Sequence, residues 1–285
     1  MLIVDDALER LALFGPGGAW LEPIGRPGRG PGEFEQPRAV TRLPDGAILV
    51  AEGVRLQRFN RSGAGYEFAQ ALPLDVPAQD ICAFGDTVVS NGSRRNDPVV
   101  HLYAANGDTL RAFGAVYHSP NEMINEEMGV GQVACDQVDD VIAFATRGPL
   151  GEVRGFRPDG TMLWRTVLHG VRANQIEDAP GGYRVTRSVD GVHSLFSLIT
   201  IPGRGFLLQW TFRTPEELAA RASYGKILTF LLDPATGHAL GPDSTLPPIL
   251  AATDTTILVS TEEPEPRFEI RRLLPPMVVR RTAGR

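Results

Sequence analysis

Between residues 38 and 168 the chain runs through one plan three times, and this repeat constrains the fold more than anything else in the sequence. The stretch RAVTRLPDGAILVAEGVRLQRFNRSGAGYEFAQAL (38–72) holds four short apolar runs separated by turn signals at LPDG and NRSG. DICAFGDTVVSNG followed by VVHLYAANGDTLRAFG (80–114) repeats the plan, as do GQVACDQVDDVIAFAT and EVRGFRPDGTMLWRTVL (131–168). Each unit reads strand, tight turn, strand, looser loop, strand, Gly turn, strand. The Gly turns fall at Ser62–Gly63, Asn106–Gly107 and Asp159–Gly160, the usual signal of a two-residue hairpin. A fifth unit spans 193–241, and 248–274 supplies at least three strands of a sixth. Residues 2–25 read as strands two, three and four of a unit whose first strand is missing. Six four-stranded antiparallel units at this period predict an all-β, six-bladed β-propeller occupying residues 1–285 as a single domain. An irregular pair of sandwiches explains the spacing less well. The segment ANQIEDAPGGYRVTRSV (173–189) fits no unit; it reads as a hairpin inserted between units four and five, with a degenerate seventh blade as the alternative.

Composition excludes several functions. The formal net charge is −6, which argues against nucleic acid as a partner. Lys226 is the only lysine, so nearly all positive charge is arginine, the bias expected of a GC-rich genome. No apolar run is long enough for a membrane span, and MLIVDDALERL lacks the layout of a signal peptide. Cys82 and Cys135 occupy equivalent positions on the inner strands of neighbouring units, where small buried free cysteines are expected. A disulfide there would need Cα atoms within about 7 Å.

One connection carries a family motif. PIGRPGRGPGEFEQP (23–37), followed by LPDG, places Gly25, Gly28, Gly30, Pro31, Gly32, Glu33, Phe34 and Pro37 ahead of Pro44, Asp45 and Gly46. This pattern resembles the NHL-repeat type of six-bladed β-propeller, specifically over residues 2–60 and as a looser pattern beyond. The resemblance implies the fold and little about function, since that family includes scaffolds, ligand binders and a few enzymes. The stretch then reads as a blade-to-blade connection with Phe34 packed between blades. A phosphate cradle needs a helix start or a GK[ST] ending, and neither follows. Because the first unit opens inside a blade, an upstream segment is expected to be missing, with the C-terminal PPMVVRR as the other means of closing the ring. Many similar propellers are exported, so an extracytoplasmic location is favoured.

Strand alternation sends the long connections to one face of such a propeller, and long loops on a rigid scaffold are where binding concentrates. On that face Arg26, Arg29, Arg94, Arg95, Arg147 and Arg172 are candidate anion-binding residues. His118 and His169, with Glu122, form a candidate divalent-metal set, although no HxxxH or HxH spacing supports it. NEMINEEMG lacks calcium-loop spacing and reads as a solvated loop. TPEELAARASYG predicts the one short helix, with Thr214 as N-cap, Pro215 at the first position, Glu217 closing a capping box, Leu218 and Ala222 on one face, and Gly225 as its end. No catalytic triad or nucleophile motif is present. The expected function is therefore non-catalytic binding of a protein, peptide or small polar or anionic ligand, without a cofactor. The alternative is a metal-dependent lyase or lactonase acting at the channel mouth.

Overall fold

The computed structural model describes residues 1–15, 18–92, 98–114, 117, 119–147, 151–171, 175–186, 190–220, 225–261 and 267–273. Sheet one holds β1 (Leu2–Asp5), β2 (Arg10–Phe14) and β3 (Trp20–Ile24), and the connection after it carries two short parallel strands, β4 (Arg26–Pro27) and β5 (Glu33–Phe34). Sheet two is β6 (Ala39–Arg42), β7 (Ile48–Glu52), β8 (Arg55–Ser62) and β9 (Gly65–Pro73). Sheet three is β10 (Asp80–Phe84), β11 (Thr87–Asn91), β12 (Val100–Tyr103) and β13 (Thr109–Phe113). Helix α1 (Glu122–Gly129) leads into sheet four: β14 (Gly131–Asp136), β15 (Val141–Thr146), β16 (Glu152–Phe156) and β17 (Met162–Val167). A separate hairpin, β18 (Gln175–Ala179) and β19 (Gly182–Thr186), precedes sheet five. That sheet is β20 (Val192–Ile201), β21 (Gly205–Arg213), β22 (Lys226–Leu232) and β23 (Ala239–Asp243), with helix α2 (Pro215–Ala219) between its second and third strands. Sheet six is β24 (Ile249–Ala252), β25 (Thr256–Thr261) and β26 (Arg267–Arg272).

Within each of the six sheets every strand pairs antiparallel with its neighbour in sequence, and the result is a six-bladed β-propeller. The described part of the 173–189 insert, β18 and β19, is a hairpin outside the blades and not a seventh blade. Burial explains which apolar runs became which strand. Second strands such as ILVAE and VIAFAT are buried at every position, because neighbouring blades cover both faces of each sheet. Outer strands such as TLRAF face solvent along most of their length. The cores lie between blades. One cluster joins Leu11 and Ile24 of sheet one to Ile48 and Phe59 of sheet two, with Phe34 of the connection buried among them as its motif implied. Three more join sheets two to three, three to four and four to five, and a fifth joins five to six.

Three expectations change. There are two helices rather than one: NEMINEEMG is not a solvated loop but forms α1. Asn121 caps it by accepting the Met123 N–H at 3.0 Å, and Ile124 and Met128, four residues apart, are both buried. The surrounding glutamates and asparagines mask that two-residue apolar stripe in the sequence. Helix α2 has the expected capping box, Thr214 Oγ1 accepting from Glu217 N at 3.2 Å and Glu217 Oε2 from Thr214 N at 2.7 Å. It ends at Ala219, however, well before Gly225; Ala222 lies outside the described residues. Finally, Cys82 and Cys135 are not free. They form a disulfide between β10 and β14 with Cα atoms 5.8 Å apart, because inner strands converge toward the axis and bring equivalent positions within bridging distance.

Candidate functional site

The antiparallel order fixes what gathers at the axis on the long-connection face: the starts of first strands and the ends of second strands. Arg38 immediately precedes β6, Asp80 opens β10, Gln132 lies at the start of β14 and Arg147 follows β15. These residues, with Gln79, Leu195 and both Val4 and Asp6 of the β1 end, line a cavity of about 330 Å³. Asp6 follows the end of β1, so β1 runs in the direction of a second strand. That agrees with the reading of sheet one as strands two to four.

The polar groups here are unevenly satisfied. Gln132 is held on both ends of its carboxamide, accepting from Leu198 N at 2.6 Å and donating to Phe196 O at 3.1 Å. Arg38 donates to Gln79 Oε1 at 3.2 Å. Among the described residues neither Arg38 nor Arg147 forms an ion pair, although both are exposed residues of the cavity lining. Asp80 accepts from Ile81 N at 2.9 Å and from Val133 N of the next blade at 3.0 Å. Burial nevertheless outweighs those two donors and pushes its carboxyl up to about 7. The site therefore combines two guanidinium groups that form no ion pair among the described residues with a carboxyl pushed up to about 7.

The candidate residues named from the sequence separate. Arg147 lines the cavity. Arg26 pairs with Glu33 at 2.7 Å and Arg29 with Glu35 at 2.5 Å, so the Gly-Pro connection satisfies its own charges. Its backbone is further tied down by Arg55, which donates to Arg29 O at 2.9 Å and Glu33 O at 3.0 Å. Arg94, Arg95, Arg172 and His118 lie outside the described residues. His169 sits in a different place, a groove of about 430 Å³ beside His238 and Arg165, between the outer strands of blades four and five. Glu122 is exposed on α1. Among the described residues no group of three His, Cys, Asp or Glu side chains is arranged to hold a metal ion. Arg38 and Asp80 are among the lining residues that escaped the sequence reading. The signal for them was positional: polar residues standing just before, or opening, the first apolar run of successive units.

No protein-family model matches the sequence, and no curated protein matches it. Solved structures match the fold. A candidate exported protein from Bacteroides fragilis shares 13% identity with a TM-score of 0.53, over 91% of this chain and 75% of that one. The β-propeller domain of a Myceliophteria thermophila protein shares 8% identity, TM-score 0.45, over 96% and 95% of the two chains. Kuenenia stuttgartiensis hydrazine synthase shares 12% identity, TM-score 0.46, over 81% of this chain, which spans only 62% of that one.

Proposed function

We propose that this propeller, of the NHL-repeat type by its first connection, is a binding protein that takes a small anionic ligand at the channel mouth of its long-connection face. The observation that carries this reading is the axial cavity with Arg38 and Arg147 on its wall and no ion pair to either among the described residues. An arginine held in a partly enclosed polar pocket recognises carboxylate or phosphate through paired N–H donors. The volume lies at the lower end of the range for small-ligand pockets, about 300–1,000 Å³. Helices α1 and α2 both sit in connections on this same face and offer flanking surface for a larger peptide or protein. The Cys82–Cys135 bridge supports an extracytoplasmic working environment, since structural disulfides persist where conditions are oxidising.

Titration calorimetry with succinate and inorganic phosphate tests the reading. Arg38→Ala and Arg147→Ala each remove an exposed side chain and leave the blades intact. Each is expected to weaken binding about tenfold, the order expected from losing a charge-assisted hydrogen bond. Unchanged binding in the double variant overturns the assignment.

A further inference from the structure

Several opposite charges in this molecule pair across or along its strands. Arg26 meets Glu33, Arg55 meets Glu52, Arg154 and Arg165 share Glu152, and Arg271 meets Glu269. The channel mouth instead gathers charges of both signs on one cavity wall. Asp6 of the first blade, Arg38 of the second, Asp80 of the third and Arg147 of the fourth line one cavity, and none of the four forms an ion pair among the described residues. The rigid strand ends hold the two signs apart around the axis. An anion alone would compensate the arginines while lying close to two carboxylates. A cation alone would meet the converse difficulty.

We infer that the mouth takes a small zwitterion of amino-acid or dipeptide size, its carboxylate held by Arg38 and Arg147 and its ammonium group turned toward Asp6 and Asp80. The inference rests on the channel-mouth reading above and names its ligand class. Hydrogen-bonding capacity matches. Each guanidinium offers a planar set of donors to a carboxylate, and an ammonium offers three donors. Among the described residues each Asp80 oxygen accepts one backbone N–H, from Ile81 or Val133, which leaves each a lone pair for the ligand.

Charge linkage separates this ligand class from a plain anion. Among the described residues, the charged groups that share the cavity lining with Asp80 are Arg38 ahead of β6, Arg147 after β15 and Asp6 after β1; Gln79 and Gln132 are neutral. With its carboxyl pushed up to about 7, Asp80 ionises across neutral pH. An ammonium group favours the ionised form, so zwitterion affinity rises several-fold from pH 6 to pH 8. A plain anion is repelled by the ionised form, so its affinity falls over the same window.

The test is calorimetry on the full chain at pH 6, 7 and 8 with alanine and glycylglycine, against acetate, succinate and methylamine. The expected result is that alanine or glycylglycine binds at least tenfold tighter than acetate or methylamine, with affinity increasing with pH. Asp80→Asn should flatten that slope, and Asp6→Asn, at an exposed position, should weaken binding several-fold while leaving the melting temperature in place. If acetate and succinate bind as tightly as alanine, with affinity falling as pH rises and depending on Arg38 and Arg147, the zwitterion is excluded and the anion site stands. If no probe binds to the folded protein, both readings fail.

Discussion

Three glutamines perform the same task in three places. Gln57 accepts from Gly32 N at 2.9 Å and donates to Glu33 O at 2.7 Å. Gln132 does the same for Leu198 N and Phe196 O, and Gln209 for Ile249 N at 2.7 Å and Pro247 O at 2.9 Å. A carboxamide carries one acceptor and one donor group, so it ties down backbone in the connections leading to β6 and β24 and, for Gln132, at the irregularity of β20. Glu52 plays a charged version of this role. It accepts from Glu35 N at 2.5 Å and Gln36 N at 3.1 Å, and pairs with Arg55 at 2.7 Å. Burial alone would raise its carboxyl, but those N–H groups and Arg55 outweigh it and hold the group below the ordinary glutamate range. A depressed folded-state value means the stabilisation is present above the unfolded value, about 4.3, and is lost as pH falls through the folded one. Glu52→Gln should therefore lower the melting temperature at pH 7, and the gap from wild type should narrow as the pH drops below about 4. Thermal melts of both proteins from pH 7 to pH 3 check this; a constant gap would refute it.

At the scale of elements, the decisive link is between β10 and β14. These two inner strands carry Asp80 and Gln132 at their mouth-facing starts and the disulfide two to three residues further in. The hydrogen bond from Val133 to Asp80 crosses between the same strands. The bridge closes a separation of 53 residues, which by loop entropy corresponds to about 4 kcal/mol. The Cys82→Ser, Cys135→Ser double variant should melt several degrees lower than the oxidised protein, and a thiol reductant should bring the wild type down to meet it. Thiol titration under denaturing conditions provides the check: two reactive thiols in protein isolated without reductant would rule the bridge out.

Across the whole molecule, stability is distributed blade to blade. Five apolar clusters join consecutive sheets from the first to the sixth, and among the described residues no such cluster joins the sixth to the first. Among the described residues sheets one and six hold three strands each where the other four hold four. The outer strand of sheet six, β26, leaves Phe268 and Ile270 at 50% and 60% exposure. A sheet covered on both sides opens only with its neighbours, whereas a sheet covered on one side opens more locally. Amide exchange should accordingly be slowest in β7, β11, β15 and β21 and markedly faster in β1 and β26. Equal protection around the ring, measured by hydrogen–deuterium exchange, would contradict this ordering.

The order of strands, their grouping into six blades and the division into a plain and an elaborated face were legible in the sequence. They are local properties: Gly turns such as Asn106–Gly107 and Asp159–Gly160 fix hairpins, and apolar runs such as VIAFAT fix buried central strands. The capping box of α2 was readable for the same reason, because Thr214 and Glu217 lie within one helical turn. What the tertiary structure alone decided were meetings across blades. Cys82 and Cys135 are 53 residues apart in the chain and 5.8 Å apart at their Cα atoms. Arg38, Asp80 and Arg147 come from three blades to one cavity, while Arg26 and Arg29, equally prominent in the sequence, are consumed by neighbouring glutamates. Radial convergence of strands about an axis sets those distances, and no spacing along the chain encodes it.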